Sequence, residues 1–174
     1  MKKRSGDKRK TPALAETRGL GFTWYYFCMK KGSFDLKVML VIKNGGKILV
    51  SPGYDKVKDQ HFYRMLGGGV NFQETVEEAI RREIKEELNS EIKNLKFLQV
   101  TESIFEYNGD KGHQICFIFG GELERKELLN EKTILVVEDD YEIEAKWVLI
   151  REILEGDRSL YPEIDLNLLR DDVV

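Results

Sequence analysis

The chain is poor in the residues that staple or metallate small proteins. Its two cysteines, Cys28 and Cys116, lie far apart, which excludes a disulfide framework and any cysteine-based metal spacing. Both thiols read as small buried hydrophobes, and a reducing, cytoplasmic setting is the natural expectation. The two histidines, His61 and His113, have no His or Cys neighbour, so zinc is left without ligands. Long apolar runs are missing too. GLGFTWYYFCM at 19–29 is too short to span a bilayer. Glu16 and Arg18 precede it and no small-residue cleavage site follows, so it is not expected to act as a secretory signal. No membrane partner is expected. No internal repeat or biased tract is visible.

Charge is plentiful but unevenly spread. Charged residues make up 34% and hydrophobic residues 41% of 174, which suits one soluble globular domain. In residues 1–10, Lys2, Lys3, Arg4, Lys8, Arg9 and Lys10 stand against Asp7 alone. The rest is therefore more acidic than the net charge of -3. An acidic body does not coat nucleic acid unspecifically; it takes polyanions only where metals or chosen cations offset its field. The composition divides the chain at residue 34. Residues 1–18 read as a basic tail, and 20–28 as an added strand or a segment packed on the domain; 35–174 form the domain itself. Met29 would make a plausible protein start, so 1–28 are expected to be dispensable for folding.

The stretch GGVNFQETVEEAIRREIKEEL, Gly68 to Leu88, carries the chemistry. Thr75 followed by Glu78 is a capping box. Val76, Ile80, Ile84 and Leu88 recur every fourth residue as a core-facing stripe. Asn89 stands where helices often end in a left-handed residue. Beside the stripe, Glu83, Glu86 and Glu87 fall on one band of the helix. Clustered carboxylates repel each other, and the natural relief is a hard divalent cation, Mg²⁺ or Mn²⁺. Next to them runs Gly67-Gly68-Gly69, where backbone can approach a phosphate closely. A metal–carboxylate site beside such a loop points to phosphoryl chemistry.

These residues resemble the signature of the Nudix hydrolases, the MutT-like family, written G-x5-E-x7-R-E-U-x-E-E-x-G-U with U apolar. Gly68, Glu74, Arg82, Glu83, Ile84, Glu86 and Glu87 match in register. Asn89 replaces the family's Gly and Ser90 its final apolar residue, both beyond the acidic positions. The resemblance implies an α/β/α sandwich with a mixed β-sheet and a loop–helix–loop catalytic motif. It implies Glu83, Glu86 and Glu87 as metal ligands, joined by the carbonyl of Gly68 or a neighbour, and Arg82 with Glu74 bracing the loop against the helix. It places Glu87 nearest the nucleophilic water, with Glu86 and Arg82 also in the catalytic set. A further carboxylate is expected from the loop before the Trp147 strand, among Glu138, Asp139, Asp140, Glu142 and Glu144, with Glu142 favoured. Trp147 itself reads as core.

The remaining chain agrees with that layout. Strands are expected at 35–42, 47–51, 61–66, 95–107, 113–123 and 145–150, with turns at Asn44-Gly45-Gly46 and 108–112. Residues 51–60 read as a polar loop, 124–132 as a charged connection, and 133–137 as a strand or a loop with an apolar tip. Short helices are expected at 151–155 and 166–170. Arg64, entering the glycine run, is a candidate for a substrate phosphate or for a structural role. Gly67, Gly68 and Gly69 would line the same phosphate. Tyr54, Phe62, Tyr63, Phe72 and Phe105 are candidates for a base-stacking wall or for core.

The implied activity is a metal-dependent pyrophosphohydrolase. Its substrate would be a nucleoside diphosphate linked to another group, released as a nucleoside monophosphate. One alternative is action on RNA 5′ ends, with the basic tail contributing. Another is a nucleotide sensor without turnover, against which the intact Glu83, Glu86 and Glu87 argue. A homodimer is possible within the family.

Overall fold

The computed structural model describes residues 34–138, 141–156 and 158–170. The basic tail, the 19–29 segment with Cys28, and the candidates Asp139 and Asp140 lie outside the described residues.

The architecture is mixed α/β. Strands β1 (Asp35–Val41), β2 (Lys43–Asn44), β3 (Lys47–Asp55) and β4 (Gln60–Arg64) precede helix α1 (Val76–Leu88). Strands β5 (Ile92–Tyr107), β6 (Asp110–Leu123), β7 (Thr133–Glu138) and β8 (Tyr141–Leu149) follow, then helix α2 (Ile150–Leu154) and strand β9 (Ser159–Tyr161). One sheet has the order β1-β6-β5, the other β7-β8-β3-β4-β9, with β2 paired to β3. Both are mixed: β1 runs parallel to β6 and β4 parallel to β9, while the other pairs are antiparallel.

Strand alternation sorts β1 into two cores. Val38 and Leu40 face one side with Ala79, Ile80, Ile84 and Leu88 of α1, and with Ile134, Val136 and Ala145 of the β7–β8 hairpin. Met39 and Val41 face the other with Ile118, Val148, Ile150 and Leu160. The sheets thus lie between α1 on one side and α2 on the other. Each fully buried side chain of this kind stabilises the fold by about 1.5–3 kcal/mol.

Four stretches differ from the sequence reading. Residues 51–55 extend β3 rather than forming a loop. Beyond Val50, β3 has lost β8 as a neighbour, so the amide that Pro52 lacks is not missed by that ladder. Glu142 and Glu144 lie on strand β8 rather than in an acidic loop. In YEIEAKWVL acids alternate with apolar residues, which is a half-exposed strand pattern. The turn near 166–170 is a 3-10 turn at Leu166–Leu169 rather than an α-helix, whereas 133–137 form a strand, one of the two alternatives expected for them. Strand β9 had no sequence signal, because three residues are too few for periodicity. Among the described residues no helix is long and apolar enough to cross a membrane.

Candidate functional site

The glycine run is held between β1 and α1. Leaving β4, the chain lies against β1: Leu40 N–H donates to Leu66 O at 2.9 Å, Val38 N–H to Gly68 O at 3.0 Å, and Val70 N–H to Leu36 O at 3.1 Å. Two of the glycines are needed on steric grounds. Gly67 has φ +129°, and a Cβ there would stand 2.1 Å from the Val38 carbonyl oxygen. At Gly68 a Cβ would fall 2.3 Å from the Glu83 carboxyl carbon. The missing side chain is what lets Glu83 lie against the loop backbone.

Helix α1 starts and ends as its sequence dictates. Thr75 Oγ1 accepts from Glu78 N–H at 3.2 Å while Glu78 Oε2 accepts from Thr75 N–H at 2.9 Å. Asn89 closes the helix in the left-handed conformation, φ 48° and ψ 38°, the conformation for which glycine is favoured. Ser90, where the signature has an apolar residue, is buried, and its Oγ donates to Glu91 O and accepts from Arg125 N–H. Arg125 Nη1 also donates to Leu88 O at 2.9 Å, so the departing helix exit is well satisfied.

Arg82 is the hub of the site. Its Nε and Nη2 donate to Glu74 Oε1 and Oε2 at 2.7 and 2.8 Å, and Nη2 also donates to Gly69 O at 2.9 Å. Nη1 reaches Glu83 Oε1 at 2.9 Å and Glu86 Oε2 at 3.1 Å. The Arg82 hydrogen bonds hold the Glu74 carboxyl well below its ordinary range, at about 2. Glu74 in turn leads the contacts that hold Arg82 firmly protonated. Burial pushes the Glu83 carboxyl up, against the opposing pull of Arg82. Glu86 is largely exposed. Glu87 is only 3% exposed, and its Oε2 accepts from Gly67 N–H at 3.0 Å.

Glu83 and Glu87 therefore lie against the loop, Glu86 is joined to it only through Arg82, and the three do not converge on a point. Among the described residues no group of three His, Cys, Asp or Glu is gathered as a metal cluster. The donor types nonetheless fit a hard divalent cation: all are oxygens, three are carboxylates, and Gly68 leaves the Glu83 carboxylate beside loop carbonyls.

Other candidates are distributed more widely. Arg64 pairs across β4 with Ser51 and Tyr161, three residues before Gly67. It lies near Tyr107, whose phenol is pushed up by burial while the Arg64 charge opposes. Phe62 covers Gly53 and meets Tyr107 and Tyr161 edge-on at 5.9 and 5.4 Å. Tyr63 faces the second core, Tyr54 donates to Asp59, and Phe105 covers Gly112. Phe72 is 94% exposed. The proposed aromatics thus form no single wall. Trp147 is core, as expected, with Nε1 donating to Leu128 O. Glu142 pairs with Val137 on the exposed face of the β7–β8 hairpin, while Val136 and Ile143 turn toward α1. The structure does not bring it to the helix carboxylates. Lys37 was missed by the sequence reading: it is 5% exposed, bridged to Gly69, and its charge acts on Glu83. A lone cation within the apolar run DLKVMLV was its signal.

Comparison with known proteins agrees with this layout. The description NUDIX domain matches residues 34–168. A NUDIX hydrolase from Nitrosomonas europaea superposes with TM-score 0.50 at 18% identity, covering 72% of this chain and 78% of that one. The MutT NUDIX hydrolase from Burkholderia pseudomallei is 24% identical over 68% of this chain and 85% of its own, with TM-score 0.46. The E. coli ORF135 protein is 23% identical over 81% and 89%, with TM-score 0.43. No curated protein matches the sequence.

Proposed function

The chain belongs to the Nudix family and is a hydrolase of phosphoanhydride bonds, and we propose that it is a metal-dependent pyrophosphohydrolase of nucleotide-type substrates. The substrate is a nucleoside diphosphate linked to a further group, and the products are a nucleoside monophosphate and the phosphorylated remainder. The observation that carries this reading is the Glu83 carboxylate lying against the Gly68 backbone, with Glu86 and Glu87 on the same helix.

Glu83, Glu86 and Glu87, with the Gly68 carbonyl, would hold Mg²⁺ or Mn²⁺. When bound, the cation supplies neutralisation of phosphate charge and activation of water. The chain supplies the rest. The backbone of Gly67–Gly69, free of side chains, admits a phosphate against the loop. Glu87 accepts the proton of the attacking water. The water oxygen bonds to one phosphorus, and the bridging P–O bond breaks with its electron pair leaving on the other phosphate. Arg64 offers a cation to a substrate phosphate from the strand entering the loop. Glu142, on the outer hairpin face, is left out of this reading.

The test is product analysis over nucleoside triphosphates, dinucleoside polyphosphates, ADP-ribose, other sugar nucleotides and 5′-triphosphate RNA, with Mg²⁺, Mn²⁺ or EDTA. Release of a nucleoside monophosphate from a linked diphosphate, abolished by EDTA, is expected. Selective action on the RNA would replace this substrate class. Binding of nucleotides without any turnover would make the protein a sensor.

A further inference from the structure

The five hydrogen bonds of Arg82 use every N–H that a guanidinium carries. They divide by edge. Nε and Nη2 grip Glu74 in a fork and hold the Gly69 carbonyl. Nη1 alone spans Glu83 and Glu86, from 2.9 and 3.1 Å. The first edge ties the glycine loop to the helix. The second stands between two carboxylates that the sequence places on adjacent turns, bonds to both and eases their mutual repulsion.

We propose that Nη1 of Arg82 is a resident counter-cation for Glu83 and Glu86, which surrenders both carboxylates to a divalent metal while the Nε–Nη2 edge stays on Glu74 and Gly69. The proposal rests on the metal reading above and assigns Arg82 a positioning role. It accounts for three acids of one helix that form no cluster: two are held by Nη1, and Glu87 is engaged with Gly67 N–H. It also accounts for the strength of the Glu74 fork. A guanidinium with a bidentate anchor keeps its place when two of its bonds are lost, so the loop geometry survives the exchange. A lysine has no second edge and could serve only one of these duties.

The exchange is read directly by NMR of the wild-type full chain, uniformly labelled with ¹⁵N and titrated with Mg²⁺. Assignment uses Arg82→Lys, whose spectrum lacks the Arg82 signals. The expected result is a shift and faster proton exchange at Nη1, with the Nε–H signal of Arg82 retained and protected. Backbone signals of Gly67–Gly69 and Glu83–Glu87 report metal binding independently. Shifts in that backbone with an unchanged Nη1 would overturn the exchange and leave the metal reading standing. Loss of the protected Nε–H together with Nη1 would overturn the two-edge division. No Mg²⁺-dependent shift at any of these positions would overturn the metal reading and the exchange with it.

Discussion

Glu74 and Arg82 meet in a two-bonded fork, 2.7 Å from Nε to Oε1 and 2.8 Å from Nη2 to Oε2, across the glycine loop that separates β4 from α1. The pair gives folding an acid dependence of known sign. The folded-state value of Glu74, about 2, lies below its ordinary 4.5. Its contribution is therefore complete above pH 4.5 and is lost as pH falls through 4.5 toward 2. Glu74→Gln should flatten the acid limb of stability in that window, measured by urea unfolding at stepped pH. An unchanged limb would dissociate the fork from folding.

Gly68→Ala tests the loop's clearance. The added methyl would stand 2.3 Å from the Glu83 carboxyl carbon, so either the loop or the carboxylate must move. A misplacement of about 1 Å costs on the order of 10²-fold in turnover. The expected outcome is that loss in kcat/KM with the helical circular dichroism retained.

Asn89→Gly tests the helix exit. Asn89 holds φ 48°, which glycine adopts without a Cβ penalty. Asn89→Ala should destabilise the protein by about 1–2 kcal/mol, and Asn89→Gly should not. Thermal unfolding of the two variants separates the outcomes.

Ile84→Ala tests the core under the site. Ile84 is fully buried between β1 and the β7–β8 hairpin. The truncation should cost about 2–5 kcal/mol in denaturant unfolding. The same change at Lys85, on the exposed face, should cost far less.

Local signals made the centre of the molecule legible before its structure. The spacing from Gly68 to Glu87 fixed the helix, its cap and its acid band because each rests on neighbours within a turn or two. The Arg82–Glu74 brace was likewise expected and is present. What stayed hidden depended on pairing at a distance. Pro52 masked the end of β3, because its tolerance comes from the β3–β8 pairing ending at Val50 and Lys146, seen only in the sheet. The acids at Glu142 and Glu144 resembled a loop until β7 supplied the partner that turns them outward. Lys37 gave a charge in an apolar strand, but only the bridge to Gly69 puts it beside the site. The split of Arg82 into two working edges is likewise a matter of three-dimensional angle, which spacing does not encode.

The most direct measurement is turnover of a linked nucleoside diphosphate in Mg²⁺ by the wild type and by Glu87→Gln. Removing the group that accepts the water proton should lower kcat by about 10²–10⁴-fold, with the folded state intact by circular dichroism. A Glu87→Gln protein that turns over at the wild-type rate would contradict the assignment of this helix face as the catalytic centre.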